Sequence, residues 1–210
     1  MKAWIICISG FTETRGEHTG TTALWKQLRR HSSPQVCVQI RLWDEDWRDY
    51  AAFIAEHSEP GVRILVCAYS WGAGHGFIRL ARYLQGHGIR VETAVLCDPV
   101  YRSRTLLGRW LAFVPWLPIR VPANVDDVFW LRQTGDVPAG HTPKATSPGT
   151  WIHPVVDLTG DYDHRTIDES ANYHVLALRE AARLLNKPPR REIDTRGNYA
   201  APADEPKLHD

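Results

Sequence analysis

The sequence predicts an α/β fold, a doubly wound, mostly parallel sheet of about six strands flanked by helices. Short apolar runs, typical of strands buried on both faces, alternate with amphipathic helical segments along the first hundred residues. Alternation of this kind builds parallel sheets through right-handed crossovers. A length of 210 residues and a hydrophobic content of 43% are enough for the core of such a domain.

The predicted elements follow from these periodicities, taken in chain order. We expect strands over 4–8, 36–42, 64–68, 91–97, 128–133 and 151–158, and helices over 21–30, 46–57, from 76 onward and from 166 onward. The last helix has a capping-box spacing, with Thr166 and Glu169 three residues apart. The segment 135–149, rich in Pro, Gly, Thr and Ser, is predicted to be a loop.

The regular alternation is interrupted over 101–122, a strongly apolar segment that contains several prolines. We expect it to fold over the site as a lid, with Trp110, Phe113 and Trp116 at a substrate pocket. A helix packed on the sheet is the alternative for its first half. We expect residues 1–186 to form the domain and the polar, proline-containing residues 187–210 to be a flexible tail.

The charge balance excludes some classes of partner. Lys and Arg number 25 and Asp and Glu 24, so no overall field favours nucleic acid or an anionic membrane. No apolar stretch is long enough for a transmembrane helix, and the apolar start of the chain is too short for a signal peptide, so we expect a cytoplasmic protein. The four cysteines form no C-x-x-C pair and are expected to be buried free thiols. The oligomeric state is left open.

The most informative stretch is 62–84, which is predicted to run from a buried strand through an abrupt turn into a helix. Ser70 lies at the turn, between Ala68 and Gly72. A serine on so tight a turn needs small residues two positions before and after it, because larger side chains would collide there. The pattern therefore favours a nucleophilic serine over a serine that only caps the helix.

A serine hydroxyl needs a base, and the base needs a carboxylate that fixes its tautomer. His164 follows the last predicted strand and therefore emerges at the same sheet edge as Ser70, while His141, after the penultimate strand, is the rival. Asp98, which follows a fully apolar strand and precedes Pro99, is the favoured acid. Asp136 is the alternative acid. Its position beside Gly135 is also explained by a turn, in which aspartate is common.

An acyl-transfer site also needs backbone donors for the oxyanion. The residue after the nucleophile, Trp71, is the first expected donor. Phe11 is the second, because the loop after the first strand lies beside the turn at Ser70. Gly10, Phe11, Ser70 and Asp98 are thus expected to share the edge at which parallel sheets bind ligands.

These motifs together make residues 3–186 resemble the α/β-hydrolase superfamily, as a small member that lacks the first two strands. The resemblance rests on Ser9-Gly10-Phe11, the Ala68–Gly72 turn, Leu96-Cys97-Asp98-Pro99 and Asp163-His164. It implies a serine esterase, lipase or thioesterase that acts on a small acyl substrate through an acyl-serine, without a cofactor. Many members carry the acid after the penultimate strand, which favours Asp136. Some lipases and thioesterases carry it one strand earlier, before proline, which favours Asp98.

Other chemistries fit the sequence less well. The glycines after Ser70 do not complete a dinucleotide-binding pattern, and the loop after the first strand lacks the Gly-Lys-Ser/Thr of a phosphate-binding loop. A metal site at Asp157, Asp161, Asp163 and His164 lacks a second histidine at helical spacing, so neither a metal nor a cofactor is expected. The alternative function is an inactive binding or scaffolding protein that uses the apolar 106–119 surface.

Overall fold

The computed structural model describes residues 1–11, 13, 18–103, 106–114 and 116–186, without the side chains of residues 106, 107 and 109. The strands and α-helices in chain order are β1 (Ala3–Ile8), α1 (Gly20–Leu28), β2 (Val36–Arg41), α2 (Trp47–Glu56), β3 (Arg63–Tyr69), α3 (Phe77–Gly86), β4 (Val91–Cys97), β5 (Ile119–Val121), β6 (Val125–Arg132), β7 (Pro143–Ala145), β8 (Trp151–Ile152), β9 (Val156–Asp157) and α4 (Ala171–Asn186). The expected tail, residues 187–210, lies outside the described residues.

Within the described residues, seven strands form one parallel sheet in the order β2-β1-β3-β4-β6-β8, with β9 also paired to β6. The chain leaves β1 for β2 on one side and then crosses to β3 on the other. Because crossovers reverse direction here, the carboxyl ends of β1 and β3 flank the crevice at which doubly wound sheets bind ligands. Gly10 and Ser70 follow these two strands.

The sheet is covered on both faces, as expected for a doubly wound fold. On one face the buried side chains of α2 and α3, such as Trp47 and Phe77, pack on alternate residues of the central strands. On the other face α1 and α4 contribute Leu24 and Tyr173. All residues of β1, β3 and β4 are buried, which explains their nearly continuous apolar character.

The final strand differs from the prediction of one strand over 151–158. It is divided into β8 and β9, which pair with successive parts of β6. Pro154 lies between them, and a proline has no N–H to donate to the neighbouring strand. The backbone N–H groups on either side, at His153 and Leu158, still bond to Val128 and Arg132. The sheet thus has seven strands, because the strand predicted over 151–158 is interrupted.

The segments around the expected lid are more regular than predicted. Leu106–Phe113 forms a 3₁₀ helix. The short strand β5 then pairs in parallel with β7, so the predicted loop over 135–149 contains a strand. No apolar period marks β7, of which only Pro143 is buried, whereas β5 alternates with Ile119 and Val121 buried and Arg120 exposed.

The start of the last helix also differs from the prediction. A 3₁₀ turn over Ile167–Glu169 precedes α4, and Thr166 makes no capping bond with its side chain. Thr166 instead donates its hydroxyl to Asp163, whose carboxylate also accepts the N–H groups of Arg165 and Thr166. The predicted capping box is therefore wrong, because Asp163 satisfies these donors. None of the described helices combines the length and apolar character needed to cross a bilayer.

Candidate active site

Ser70 lies at the abrupt turn that the sequence predicts. It directly follows β3, and its φ of 53° is in the left-handed region that non-glycine residues rarely adopt. A π-helical turn over Gly72–Gly76 leads from it into α3. A Cβ atom on Gly72 would stand 2.3 Å from the carbonyl oxygen of Ser9, so only glycine fits beside β1. The turn is strained and tightly packed, as a nucleophile elbow requires.

Ser70, His164 and Asp98 are brought together in one hydrogen-bonded row. The Ser70 hydroxyl lies 2.9 Å from Nε2 of His164. Nδ1 of His164 lies 2.6 Å from Oδ2 of Asp98. Because a carboxylate only accepts, we assign the proton of the neutral ring to Nδ1. Nε2 is then free to accept the serine proton.

The carboxylate of Asp98 is fully buried, with a relative exposure of 0%, and is satisfied by several donors. Besides His164, it accepts the backbone N–H of Gln133 at 3.0 Å and the Gln133 side-chain amide at 2.9 Å. Its backbone φ of 42° is a conformation that aspartate tolerates better than most residues. Asp98 is thereby fixed in orientation at the end of β4. In the sequence, the only sign of this role for Gln133 is a polar residue at the end of a predicted strand.

Asp136 and His141, the alternatives to Asp98 and His164, occupy other positions. The Asp136 carboxylate accepts the backbone N–H of His164 at 3.3 Å and does not contact the imidazole Nδ1, which bonds to Asp98. His141 is completely buried, donates its backbone N–H to Pro99 and accepts the N–H of Tyr101 at Nδ1. Burial lowers the pKa of His141, which favours its neutral form. Asp136 therefore supports the loop of His164, and His141 supports the segment after Asp98.

The backbone of His164 is held from two sides. Asp136 accepts its N–H, and the hydroxyl of Tyr69 donates to its carbonyl oxygen. Burial raises the pKa of Tyr69 far above its usual range, so this hydroxyl keeps its proton and remains a donor. Tyr69 immediately precedes Ser70, and the bond ties the loop of His164 to the strand that ends before Ser70. The sequence alone did not reveal this contact across 95 positions.

The loop after β1 lies against the elbow, where the two expected oxyanion donors are located. A Cβ atom on Gly10 would stand 2.8 Å from the ring of Tyr69 and 3.3 Å from Cβ of Ser70. The N–H of Gly10 donates to the buried carboxylate of Glu13, which fixes the peptide just before Phe11. The side chains of Phe11 and Trp71 are in contact, with ring centroids 4.2 Å apart. These two residues are therefore adjacent, on loops from neighbouring strands.

A second buried carboxyl group, Asp168, lies near Glu13. It accepts the backbone N–H of Thr21 at 2.7 Å and the Thr21 hydroxyl at 3.2 Å. Burial, together with the negative charge of Glu13, raises the pKa of Asp168 to about 7. The carboxyl pair joins the loop after β1 to the start of α1 and to the turn before α4.

A cavity of about 380 Å³ opens beside the elbow. Its apolar lining includes Ile78 of α3 and Leu111 and Leu117 of the expected lid segment. The predicted pocket residues Trp110, Phe113 and Trp116 are instead 61%, 61% and 80% exposed. Residues three apart lie on the same side of a 3₁₀ helix, and the side that carries Trp110 and Phe113 faces solvent, so these side chains do not line the cavity.

Three of the four residues considered as metal ligands are engaged elsewhere. His164 bonds to Ser70 and Asp98, Asp163 caps the turn after it, and Asp157 pairs with Arg132 at 3.2 Å. Over the described ranges, no group of three or more His, Cys, Asp or Glu side chains is placed to hold a metal ion. The four cysteines are free thiols, and three of them, Cys7, Cys67 and Cys97, are buried.

Comparisons with known proteins give structural similarities at low identity. No family model and no curated protein matches the sequence. RedJ, a thioesterase from the prodiginine biosynthetic pathway of Streptomyces coelicolor, is similar with 11% identity and a TM-score of 0.49, over 87% of this chain and 86% of that chain. An alpha/beta hydrolase superfamily protein from Enterococcus faecalis has 11% identity and a TM-score of 0.45, over 89% and 91%. YbtT, a type II thioesterase of the yersiniabactin pathway, has 12% identity and a TM-score of 0.44, over 87% and 94%.

Proposed function

We propose that the protein is a serine hydrolase that cleaves a carboxylic ester or thioester through an acyl-serine intermediate. The observation that carries the proposal is the row of two hydrogen bonds, 2.9 Å from Ser70 to His164 and 2.6 Å from His164 to Asp98. Three polar side chains from distant parts of the chain meet in this order at the ligand-binding edge of the sheet. A helix cap would need neither the histidine nor the buried aspartate.

In the first half of the reaction, Oγ of Ser70 attacks the carbonyl carbon of the substrate while Nε2 of His164 takes the hydroxyl proton. The tetrahedral intermediate collapses, the bond to the alcohol or thiol breaks, and Nε2 returns the proton to the leaving group. In the second half, a water molecule gives a proton to Nε2 and attacks the acyl-serine. Collapse then releases the carboxylic acid and restores the Ser70 hydroxyl.

Asp98 orients His164 and stabilises the imidazolium that forms twice in this cycle. The two Gln133 donors hold the carboxylate in place, so that it meets Nδ1 without rearranging. Burial strengthens this interaction, because little water screens the two charges. Asp136, the alternative acid, acts in this proposal through the backbone of His164.

The backbone N–H groups of Trp71 and Phe11 are proposed to bind the oxyanion. Trp71 follows the nucleophile at the start of a helical turn, where N–H groups and the helix dipole favour negative charge. The contact between the Phe11 and Trp71 side chains supports the proximity of the two peptides. Each such donor contributes on the order of 3 kcal/mol to lowering the barrier. Neither half of the reaction needs a cofactor.

A second candidate function, a binding protein without activity, is favoured by one observation. Trp110, Phe113 and Trp116 present exposed aromatic surface on the segment whose Leu111 and Leu117 line the cavity. In the hydrolase proposal the same segment is a lid, whose Leu111 and Leu117 face the cavity. The two candidates differ in whether Ser70 is reactive.

A fluorophosphonate probe tests the proposal, because it reacts covalently with activated serines. We expect the wild type to be labelled, and Ser70→Ala and His164→Ala to be unlabelled although folded by circular dichroism. Ser147→Ala and the exposed-histidine variant His31→Ala are matched controls that should keep full labelling. A folded wild-type protein that resists the probe, or labelling that persists in Ser70→Ala, would reject the hydrolase and favour the binding protein.

A further inference from the structure

The cavity beside the elbow carries an unusual concentration of positive charge. Among its described lining residues are four arginines, which come from α3, the segment after β4 and β5: Arg79, Arg82, Arg102 and Arg120. No Asp or Glu belongs to the described lining. The whole chain has a formal charge of only +1, so this concentration is local. Clustered like charges repel one another unless an anion lies between them.

Several arginines of the protein pair with a carboxylate, and three of those in the cavity do not. Arg63 pairs with Glu92 at 3.0 Å, and Arg90 pairs with Asp126. By contrast, Arg79, Arg82 and Arg120 make no ion pair with any described residue. Nε of Arg79 is buried and lacks a hydrogen-bond partner in the described part of the chain. A buried donor of this kind is costly unless a ligand accepts from it.

Two of the guanidinium groups are held in position by aromatic rings. Arg79 donates from Nη2 to the hydroxyl of Tyr83 at 3.3 Å. The guanidinium carbon of Arg102 lies 4.3 Å from the ring centroid of Trp43 and 5.0 Å from that of Trp71. Because Trp71 follows Ser70 directly, Arg102 lies against the residue next to the proposed nucleophile. Guanidinium groups fixed in this way lose little entropy when they bind an anion.

We propose that this cavity binds a phosphate-class anion, held by Arg79, Arg82 and Arg120, with Arg102 beside Trp71. Phosphate oxygens accept the paired N–H donors of guanidinium groups, and a dianion balances several positive charges at once. The apolar walls formed by Ile78, Leu111 and Leu117 suit an apolar group attached to the phosphate. If the anion is part of the substrate, the inference rests on the proposed ester or thioester hydrolysis. The substrate is then an ester or thioester that carries a phosphate group.

Binding is tested first, without catalysis, by titrating inorganic pyrophosphate into the folded Ser70→Ala protein by calorimetry at constant ionic strength. We expect saturable binding, and a dissociation constant raised about tenfold or more when Arg79→Gln or Arg120→Gln is added, since each removes a charge-assisted contact. Arg48→Gln, which alters an exposed arginine of α2, is the matched control and should leave the constant unchanged. Absence of binding, or equal weakening by Arg48→Gln, would overturn the proposal.

The source of the anion is then determined with two thioesters that share an acyl group. Acetyl-coenzyme A carries phosphate groups, and S-acetyl-N-acetylcysteamine carries none. If the substrate brings the phosphate, Arg79→Gln will lower kcat/KM for acetyl-coenzyme A by about tenfold or more. The same variant will change kcat/KM for S-acetyl-N-acetylcysteamine less than twofold. If the anion is a separate ligand, both thioesters will respond alike and pyrophosphate will change both rates. Pyrophosphate binding without any hydrolysis would retain the anion site and reject the hydrolase.

Discussion

Gln133 donates two hydrogen bonds to the Asp98 carboxylate, from its backbone N–H at 3.0 Å and from its side-chain amide at 2.9 Å. The side-chain oxygen of the same glutamine accepts the N–H of Asp136 at 2.7 Å. One residue at the end of β6 therefore fixes the proposed acid and also the loop that holds the backbone of His164. The positions of the two candidate acids depend on each other through Gln133.

Replacing Gln133 by methionine keeps the length of the side chain and removes its amide. The buried Asp98 carboxylate then loses one donor, and we expect the free energy of unfolding to fall by about 2 kcal/mol. Labelling by the fluorophosphonate probe should slow as well, because the orientation of Asp98 loosens. Urea unfolding and the labelling rate measure the two effects. Gln85→Met, on the exposed side of α3, should change neither; an unchanged Gln133→Met protein would contradict the role given to this amide.

The two candidate acids predict different losses of activity. Asp98→Asn should reduce kcat by about 10⁴-fold, because an asparagine cannot stabilise the imidazolium and favours the wrong tautomer. Asp136→Asn keeps an acceptor for the backbone N–H of His164 and should reduce kcat far less. Steady-state hydrolysis of an activated ester compares the variants. The reverse order of losses would identify Asp136 as the acid.

Gly72 is predicted to be irreplaceable for a steric reason. A Cβ atom there would stand 2.3 Å from the Ser9 carbonyl oxygen, so Gly72→Ala must push β1 away from the elbow. We expect a loss of several kcal/mol in the free energy of unfolding. Gly86→Ala is the matched control, because a Cβ atom there meets nothing within 4 Å and alanine favours a helix. If urea unfolding finds the two variants equally stable, the close approach at Gly72 is wrong.

The raised pKa of Asp168 predicts a pH-dependent stability. Its pKa is about 7 in the folded protein and about 3.9 in an unfolded chain. Between these values the folded state binds more protons, so the contribution of Asp168 is fully present below pH ~4 and is lost as the pH rises through ~7. The change is on the order of 4 kcal/mol.

Urea unfolding over this pH range measures the effect. Asp168→Asn, which keeps an acceptor for Thr21, should flatten the fall in stability between pH ~4 and ~7. Asp161→Asn, in an exposed turn of the same region, should retain it. An equal slope in wild type and Asp168→Asn would show that this carboxyl group does not titrate as described.

The sequence was informative wherever a local rule determines position. Parallel strands end at a common edge, and this rule alone brings residues after β1, β3 and β4 together with the loop before α4. Ser70 and Asp98 could be proposed from it because each directly follows a buried strand, and His164 because its loop follows the last strand of the sheet. Both Asp98 and Asp136 follow strands that end at the same edge, so this rule does not separate them, and the bond from His164 to Asp98 is visible only in the structure.

Other features depend on contacts that no local pattern encodes. The bond from Tyr69 to His164 and the pair formed by Glu13 and Asp168 join side chains from distant parts of the chain. The arginine cavity likewise gathers residues from separate segments. The overall charge of the chain, +1, gives no sign of such a cluster. In the apolar segment over 101–122, composition indicated a cover for the site but could not determine which side of a 3₁₀ helix faces the protein.

Trapping the covalent intermediate tests the central claim most directly. Wild-type protein is mixed with p-nitrophenyl acetate, quenched in acid within the first turnover, and analysed by intact-protein and peptide mass spectrometry. The proposed function predicts one added acetyl group, located on Ser70 and missing from Ser70→Ala. Hydrolysis without an acetylated Ser70 under these conditions, or an acetyl group on another residue that persists in Ser70→Ala, would contradict it.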